Sequence, residues 1–273
     1  MRSDEIIYPW LRKCQPHWLI TFFAIWVILA ILFAFTDLRI SQVLYRPETQ
    51  LALWMNDYGP TPGSVVCFLG ASILLRLRNR KRSLKNTTYG MLVFLVVLSL
   101  AMMTWVGWLS NVKGGIFLAV VLAGLSVVGV QFWLGEYPDA SLQKFKLPGK
   151  AAILLFLLAP VITSWSIKLL WGRWSYQDVL LDLSRFSPWY LPQGPDGQFS
   201  FPSGHTSAAF LLLPITLLVP KNKPSFFLIW GLIIGWGLFM ACSRVVLGVH
   251  FASDTLFGGC QTILWFFIIK SHL

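Results

Sequence analysis

The sequence predicts an all-α membrane protein, a polytopic transmembrane helical bundle of about eight spans. The chain is 56% hydrophobic and 12% charged, whereas soluble domains average roughly 45–50% and 25%. Apolar runs of about 20 residues, the length that a helix needs to cross a bilayer, recur along the chain. Basic residues gather in alternate connections between these runs, as in proteins that thread a membrane several times.

The apolar runs define the predicted spans. They are Trp18–Phe35, Pro62–Leu75, Tyr89–Leu109, Ile116–Leu134, Ala151–Trp171, Thr206–Val219, Phe226–Cys242 and Val249–Ile269. The first run is longer than a signal-peptide core and no cleavage site ends it, so we interpret it as a retained helix. The half-polar stretch Asp37–Tyr58 predicts a helix on the membrane surface. Residues 1–150 are thus expected to form N-terminal transmembrane and interfacial helices, and residues 151–273 a second helical region.

The positions of the charges predict the orientation of the chain. Six basic residues crowd one short connection: Arg76, Arg78, Arg80, Lys81, Arg82 and Lys85. Such loops stay in the cytoplasm, and the same assignment places both termini, the Lys144–Lys150 loop and Lys221 inside. In a membrane protein the net charge of +11 indicates contact with anionic lipid headgroups rather than nucleic acid. The protein is expected in a bacterial plasma membrane.

This orientation brings the unusual polar residues to one side of the membrane. Lys168 lies at the outer end of the fifth span and His205 at the outer start of the sixth. Arg244 ends the seventh span, and His250 and Asp254 open the eighth. Ionisable residues at such depths are costly and are commonly functional. The sequence therefore predicts a site that faces outward.

His250 and Asp254 are separated by four positions, which places them on one face if both are helical. A carboxylate on one imidazole nitrogen would fix the tautomer and leave the other nitrogen as a nucleophile or base. A core histidine satisfied by a neighbouring aspartate explains this pair equally well.

Pro202-Ser203-Gly204-His205 stands where a loop becomes a helix. Main-chain N–H groups of a first helical turn are unpaired and favour an anion. Ser203 adds a hydroxyl, Gly204 permits close approach of a ligand, and His205 could protonate a leaving oxygen. An ordinary helix start is the alternative interpretation.

Arg244 and Lys168 are cations suited to phosphate, although each alone could extend its charged end toward the interface. Cations, unpaired N–H groups and two histidines together predict phosphoryl transfer through a phosphohistidine. The four cysteines are widely spaced and form no metal-binding pattern. Neither a metal ion nor a cofactor is expected.

At these residues the sequence resembles the type-2 phosphatidic acid phosphatase superfamily of integral-membrane lipid phosphatases. That family carries the ordered motifs Lys-x6-Arg-Pro, Pro-Ser-Gly-His and Ser-Arg-x5-His-x3-Asp. The second is intact at Pro202–His205, and the third runs from Ser243 to Asp254. The resemblance covers roughly Ala151–Ile269 and implies a phosphatase-like helical core in the C-terminal half.

The resemblance also implies the role of each residue. His250 would be the nucleophile, Asp254 its orienting partner and His205 the general acid. Phosphate oxygens would be held by Lys168, Ser203, Gly204 and Arg244.

The first motif departs from the family pattern, because Ser175 and Tyr176 stand where Arg-Pro is expected. Arg173 lies two positions earlier, where many relatives carry an additional arginine. Three interpretations follow. Arg173 compensates as a phosphate ligand, the substrate needs fewer cations, or the protein has little activity.

The expected function is removal of phosphate from a lipid phosphate or diphosphate. The alternatives are a non-catalytic lipid-phosphate carrier, a degenerate scaffold, or a phosphotransferase that uses a lipid acceptor. The aromatic loop Tyr176–Phe199 would fold over the site as a lid or be a tethered surface loop. The sequence does not predict an oligomeric state.

Overall fold

A computed structural model describes residues 16–78, 90, 94, 96–98, 100, 109, 112–195 and 198–273. The predicted span Tyr89–Leu109 and most of the basic loop lie outside these residues, apart from isolated positions. Within the described residues the fold contains helices and no strand. This confirms the predicted all-α class.

The helices in chain order are α1 Pro16–Leu44, α2 Gln50–Tyr58, α3 Thr61–Arg76, α4 Gly115–Gly135, α5 Asp139–Leu142, α6 Lys146–Phe156, α7 Trp165–Trp171, α8 Tyr176–Leu181, α9 Gly204–Ala209, α10 Pro224–Val246 and α11 Ala252–His272. A π-helical segment, Leu157–Ser164, joins α6 to α7. Short 3₁₀ helices cover Gln143–Phe145 and Leu183–Arg185, and a longer one, Phe210–Leu218, continues α9.

Six helical stretches of the described chain are long and apolar enough to cross a membrane. They are Leu19–Leu44, Gln50–Arg76 (α2 with α3), Gly115–Gly135, Asp139–Leu181 (α5 to α8), Pro224–Val246 and Ala252–His272. The protein is an integral membrane protein. The predicted number of about eight spans is not confirmed. The predicted sixth span is the apolar segment Gly204–Leu218, which is shorter than the others. Its 3₁₀ part rises about 2.0 Å per residue, so the segment extends roughly 27 Å, close to the thickness of a hydrocarbon core.

The predicted surface helix is shorter than expected. Helix α1 continues to Leu44, and only Gln50–Tyr58 forms a separate helix. The break coincides with Pro47, which lacks an N–H group and disfavours helical geometry at Arg46. Asp37 therefore belongs to the last two turns of α1 instead of the membrane surface helix.

The predicted fifth span is one continuous path that ends at a left-handed glycine. The π-helical segment contains Pro160, whose ring excludes the regular α-helical hydrogen bond at that point. Gly172 ends α7 with φ 60°, and an added Cβ there would clash with the carbonyl oxygen of Gly194. This turn directs Arg173 into the protein interior, where it is 1% exposed.

The bundle has two distinct ends. At one end, Arg76 of α3 pairs with Asp139 at the start of α5, 3.5 Å apart. Helix α3 begins at the other end, directly after Asn56 of α2, whose amide contacts Arg244. Helix α6 likewise begins a few residues after Asp139, and the path continues through the π-helical segment to Lys168 in α7. The polar residues predicted to form a site thus lie at the end opposite to the Arg76–Asp139 pair.

Candidate active site

His250 lies in the turn that joins α10 to α11. Its Nδ1 is 3.6 Å from Oδ2 of Asp254, which belongs to the first turn of α11. The predicted pairing is present, but the two residues do not share a helix face, because α11 begins only at Ala252. Gly248, with φ 71°, reverses the chain and returns His250 to Asp254.

The carboxylate of Asp254 is completely buried and is fixed from several directions. Oδ2 accepts hydrogen bonds from Ser200 Oγ at 2.6 Å and from the main-chain N–H of Phe251 at 2.8 Å. Oδ1 accepts from Arg173 at 2.5 Å. These bonds set the plane of the carboxylate, and this plane determines how it meets the imidazole of His250.

Arg173 contacts Oδ1 of Asp254, whereas His250 lies near Oδ2 of the same carboxylate. Its guanidinium donates to Asp254, to Asp37 Oδ2 at 3.0 Å, to Ser253 Oγ at 2.7 Å and to the carbonyl of Ser187 at 2.9 Å. A guanidinium has five N–H groups, so protein acceptors engage four of them. The prediction that Arg173 contacts phosphate stays a prediction. The structure shows this cation paired with two buried carboxylates.

Ser203 and Gly204 form the start of α9. Ser203 Oγ accepts from the main-chain N–H of Thr206 at 3.3 Å, which caps the helix. The main-chain N–H of Ser203 donates to the carbonyl of Asp254 at 2.9 Å, so the motif is attached directly to α11. A Cβ added to Gly204 would meet no described atom within 4 Å. The space beside this glycine is therefore open.

Two cations and two histidines lie around that space. The imidazole of His205 hydrogen-bonds to the main-chain carbonyl of Asn56, and it lies within electrostatic range of Arg244, His250 and Lys168. Arg244 donates to Oδ1 of Asn56. Lys168 donates to the carbonyl of Phe199. Each cation thus donates to a protein oxygen, whereas the buried Nε of Arg244 has no hydrogen-bond partner among the described residues.

Burial makes His250 a neutral base. Removal from water lowers the pKa of His250 from its usual value near 6.5 to about 4, and the charges of Arg244 and Lys168 act in the same direction. The nearby carboxylate of Asp254 opposes this shift. The imidazole is thus unprotonated at neutral pH. Since Nδ1 faces Asp254, Nε2 is the nitrogen available for chemistry.

Ser175, which stands where the family motif has arginine, serves local structure. Its Oγ accepts from the main-chain N–H of Asp178 at 3.3 Å, and its own N–H donates to Oδ2 of Asp178 at 3.1 Å. These reciprocal bonds form a capping box at the start of α8. Position 175 therefore ends the loop after Arg173 by starting a helix.

The loop after α8 is tethered at several points. The indole N–H of Trp189 donates to the carbonyl of Ala30 in α1 at 2.9 Å, and its ring packs against Phe257 with centroids 4.6 Å apart. Trp171 donates to the carbonyl of Trp189 at 2.6 Å. The loop thus joins α1, α7 and α11 near the site.

The sequence motifs missed four residues that the structure brings to the site: Asp37, Asn56, Ser200 and Ser253. Asp37 had a detectable signal, because an isolated acidic residue next to an apolar run is commonly functional. Ser200 and Ser253 stand beside motif residues but resemble ordinary serines in sequence. Asn56 had no signal, since only the packing of α2 against α10 brings it to Arg244.

Comparison with known families agrees with this geometry. The family model described as "PAP2 superfamily" matches residues 149–272, the region that supplies His205, Arg244, His250 and Asp254. The match covers a little less than half of the chain. The resemblance inferred from the two intact motifs is confirmed.

One curated protein similar to this chain is "Phosphatidylglycerophosphatase B" of Bacillus subtilis (strain 168), which is 33% identical over 96 residues. The match covers 32% of this chain and 46% of the relative, so the chain spans less than half the length of that protein. No solved structure matches the chain significantly.

Proposed function

We propose that this protein is an integral-membrane lipid phosphatase of the PAP2 superfamily that works through a phosphohistidine on His250. One observation carries the proposal. His250 faces Asp254 with Nδ1, while His205, Arg244 and Lys168 lie within electrostatic range of its imidazole. A neutral nucleophile, an acid and two cations are the groups that phosphoryl transfer requires.

In the first step, Nε2 of His250 attacks phosphorus and the bond from phosphorus to the lipid oxygen breaks. Positive charge develops on the imidazole as the new bond forms, and Asp254 stabilises it through Nδ1–H. His205, protonated beside the negative charge of the bound phosphate, donates its proton to the departing oxygen. The products of this step are a lipid alcohol, or a lipid monophosphate from a diphosphate, and a phosphorylated His250.

In the second step, water attacks the phosphohistidine and returns inorganic phosphate. His205, now neutral, accepts the proton of this water, which restores the starting enzyme. Lys168, Ser203, Gly204 and Arg244 would hold the phosphate oxygens in both steps. The two cations would replace Asn56 and Phe199 by phosphate as their hydrogen-bond partner. This arrangement needs no metal ion for charge stabilisation.

The substrate would be a lipid because the site lies at the end of apolar helices in a membrane protein. Its polar head would enter sideways from the outer leaflet, while its chains remain in the bilayer. The name of the Bacillus subtilis relative makes phosphatidylglycerophosphate the first substrate to examine. The other candidate substrates are undecaprenyl diphosphate, phosphatidic acid and lipid A phosphates.

The test is phosphate release from these lipids by purified protein in detergent with EDTA. Wild type and His250→Ala are compared, with His272→Ala as a matched control because His272 lies at the far end of α11. We expect release by wild type and by His272→Ala, and loss of at least about a thousandfold in His250→Ala. Release that survives in His250→Ala would disprove the phosphohistidine. A silent wild type that still binds lipid phosphate would favour a carrier.

A further inference from the structure

We infer that Asp37 of α1 is a positioning residue for the catalytic pair, acting through Arg173 and Ser253 on Asp254. The inference rests on the proposed function, since it assigns a task within the same site. It extends the site beyond residues 149–272, which the PAP2 superfamily model matches, to helix α1.

Asp37 is almost completely buried, with 2% of its surface exposed. Oδ2 accepts from Arg173 at 3.0 Å and from the hydroxyl of Ser253, and Oδ1 accepts from the main-chain N–H of Ser253 at 2.9 Å. Ser253 belongs to the first turn of α11, where main-chain N–H groups have no partner within the helix. Asp37 therefore fixes the turn that carries Asp254.

The charges of the cluster show why a second carboxylate is needed. Arg173 contacts both Asp254 at 2.5 Å and Asp37 at 3.0 Å. With Arg173 alone, Asp254 would belong to a neutral ion pair and would stabilise a positive imidazole weakly. Asp37 adds a second negative charge, so that the cluster carries a net negative charge while His250 becomes an imidazolium. Buried charges of this kind act strongly because water does not screen them.

The cluster also accounts for the orientation of Arg173. Its planar guanidinium stacks 4.3 Å from the ring centre of Phe251, which places its two ends toward Asp37 and Asp254. Ser253 Oγ bridges the cluster, since it accepts from Arg173 at 2.7 Å and donates to Asp37.

Movement of Asp37 would therefore be transmitted to Asp254 by two routes, one through Arg173 and one through Ser253. Neither route reaches Lys168 or Arg244, so phosphate binding should be independent of Asp37.

The experiment measures kcat, KM and product inhibition by inorganic phosphate for Asp37→Asn and Asp37→Glu. Asp37→Asn removes the charge, and Asp37→Glu keeps it on a longer side chain. The matched control is Ser41→Ala. Ser41 lies one turn further along α1, is equally buried, and its hydroxyl has no hydrogen-bond partner among the described residues.

We expect kcat to fall about 10- to 100-fold in Asp37→Asn, the range found when groups that orient catalytic ligands are removed. The inhibition constant of phosphate should stay within about twofold, and Asp37→Glu should recover part of kcat. In an Arg173→Gln background, Asp37→Asn should cause a smaller further loss than in wild type, because only the route through Ser253 remains. Ser41→Ala should resemble wild type.

Wild-type kcat in Asp37→Asn, or a parallel loss of kcat and phosphate binding, would overturn the inference. If Asp37→Asn does not fold, Ser253→Ala is tested in its place. Its kcat is expected to fall several-fold while phosphate binding stays unchanged. An unchanged kcat in Ser253→Ala would also overturn the inference. Failure of the proposed function would give a different result. In that case the wild type would be inactive, or His250→Ala would be active.

Discussion

The chemistry of His250 depends on its burial at 6% exposure beside two cations. Both effects keep its imidazole neutral, whereas an exposed histidine would be half protonated near pH 6.5. The carboxylate of Asp254 opposes them and prepares the ring for the positive charge of the reaction. This balance leads to two predictions about individual side chains.

The first prediction concerns the dependence of activity on pH. In the proposed mechanism only neutral His250 attacks phosphorus, and burial lowers the pKa of His250 to about 4. As the pH falls, kcat/KM should therefore decline with a midpoint well below 6.5, near pH 4, because kcat/KM reports groups of the free enzyme. The substrate phosphate also ionises in this pH range. Its pKa is measured separately by ³¹P NMR in the same detergent, and the profile of kcat/KM against pH is corrected for it. A midpoint near 6.5 would show that His250 titrates as an exposed histidine.

The second prediction concerns Ser200, whose hydroxyl donates to Asp254 at 2.6 Å. A hydrogen bond to a charged group contributes about 1.5 kcal/mol or more, so Ser200→Ala should lower kcat/KM roughly tenfold. The control is Ser187→Ala, because the buried hydroxyl of Ser187 has no hydrogen-bond partner among the described residues. Equal activities of the two variants would exclude a role of Ser200 in orienting Asp254.

Among the helices, α2 shows how a short element completes the site. It is too short to span a membrane, yet its Asn56 contacts Arg244 by its side chain and His205 by its main chain. Helices α1 and α8 contribute in a similar way, since α1 supplies Asp37 and α8 begins just after Arg173. The N-terminal region therefore takes part in the site.

Asn56→Asp should weaken substrate binding, because a carboxylate on Arg244 would compete with phosphate as a charged hydrogen-bond acceptor. We expect KM to rise roughly tenfold, from an interaction of about 1.5 kcal/mol. Gln50→Glu introduces the same charge at the exposed start of α2 and should leave KM unchanged. Equal KM values for Asn56→Asp and wild type would indicate that Arg244 does not contact the substrate.

Ser175→Arg should not improve the enzyme, although it recreates the arginine of the family motif. It removes the N-cap of α8, and loss of such a cap costs about 1 kcal/mol of stability. We expect thermal unfolding in detergent at a lower temperature for Ser175→Arg and Ser175→Ala than for Ser175→Thr, which keeps the cap. A gain of activity in Ser175→Arg would show that the missing arginine limits the wild type.

For the molecule as a whole, the two ends of the bundle define its orientation in the membrane. The Arg76–Asp139 pair lies at one end, and the site lies at the other. We propose that the basic end faces the cytoplasm of a bacterium, following the distribution of Lys and Arg in the connections. The site then faces outward.

Labelling with a membrane-impermeant maleimide in whole cells tests this orientation. Ser184→Cys at the site end and Ser141→Cys at the basic end are exposed positions, and each is placed in a background without the four native cysteines. Ser184→Cys should react in intact cells, and Ser141→Cys only after the membrane is permeabilised. The reverse pattern would place the site in the cytoplasm.

The sequence by itself determined the all-α membrane class and the resemblance of residues 149–272 to the PAP2 superfamily. Composition and apolar length govern insertion in a bilayer, and the motif from Ser243 to Asp254 is local in the chain. Local pattern also predicted most helix centres, although α1 extends beyond its predicted end and α11 starts after His250.

Only the tertiary structure decided how the site is supported. Asp37 and Asp254 are separated by more than two hundred residues, yet they share one buried arginine. Asn56 reaches Arg244 only because α2 packs against α10. Such contacts depend on how helices pack in space, and a single sequence records only the order of residues along each helix. Arg173 shows the difference most clearly, because its spacing suggested a phosphate ligand and its packing joins it to two carboxylates.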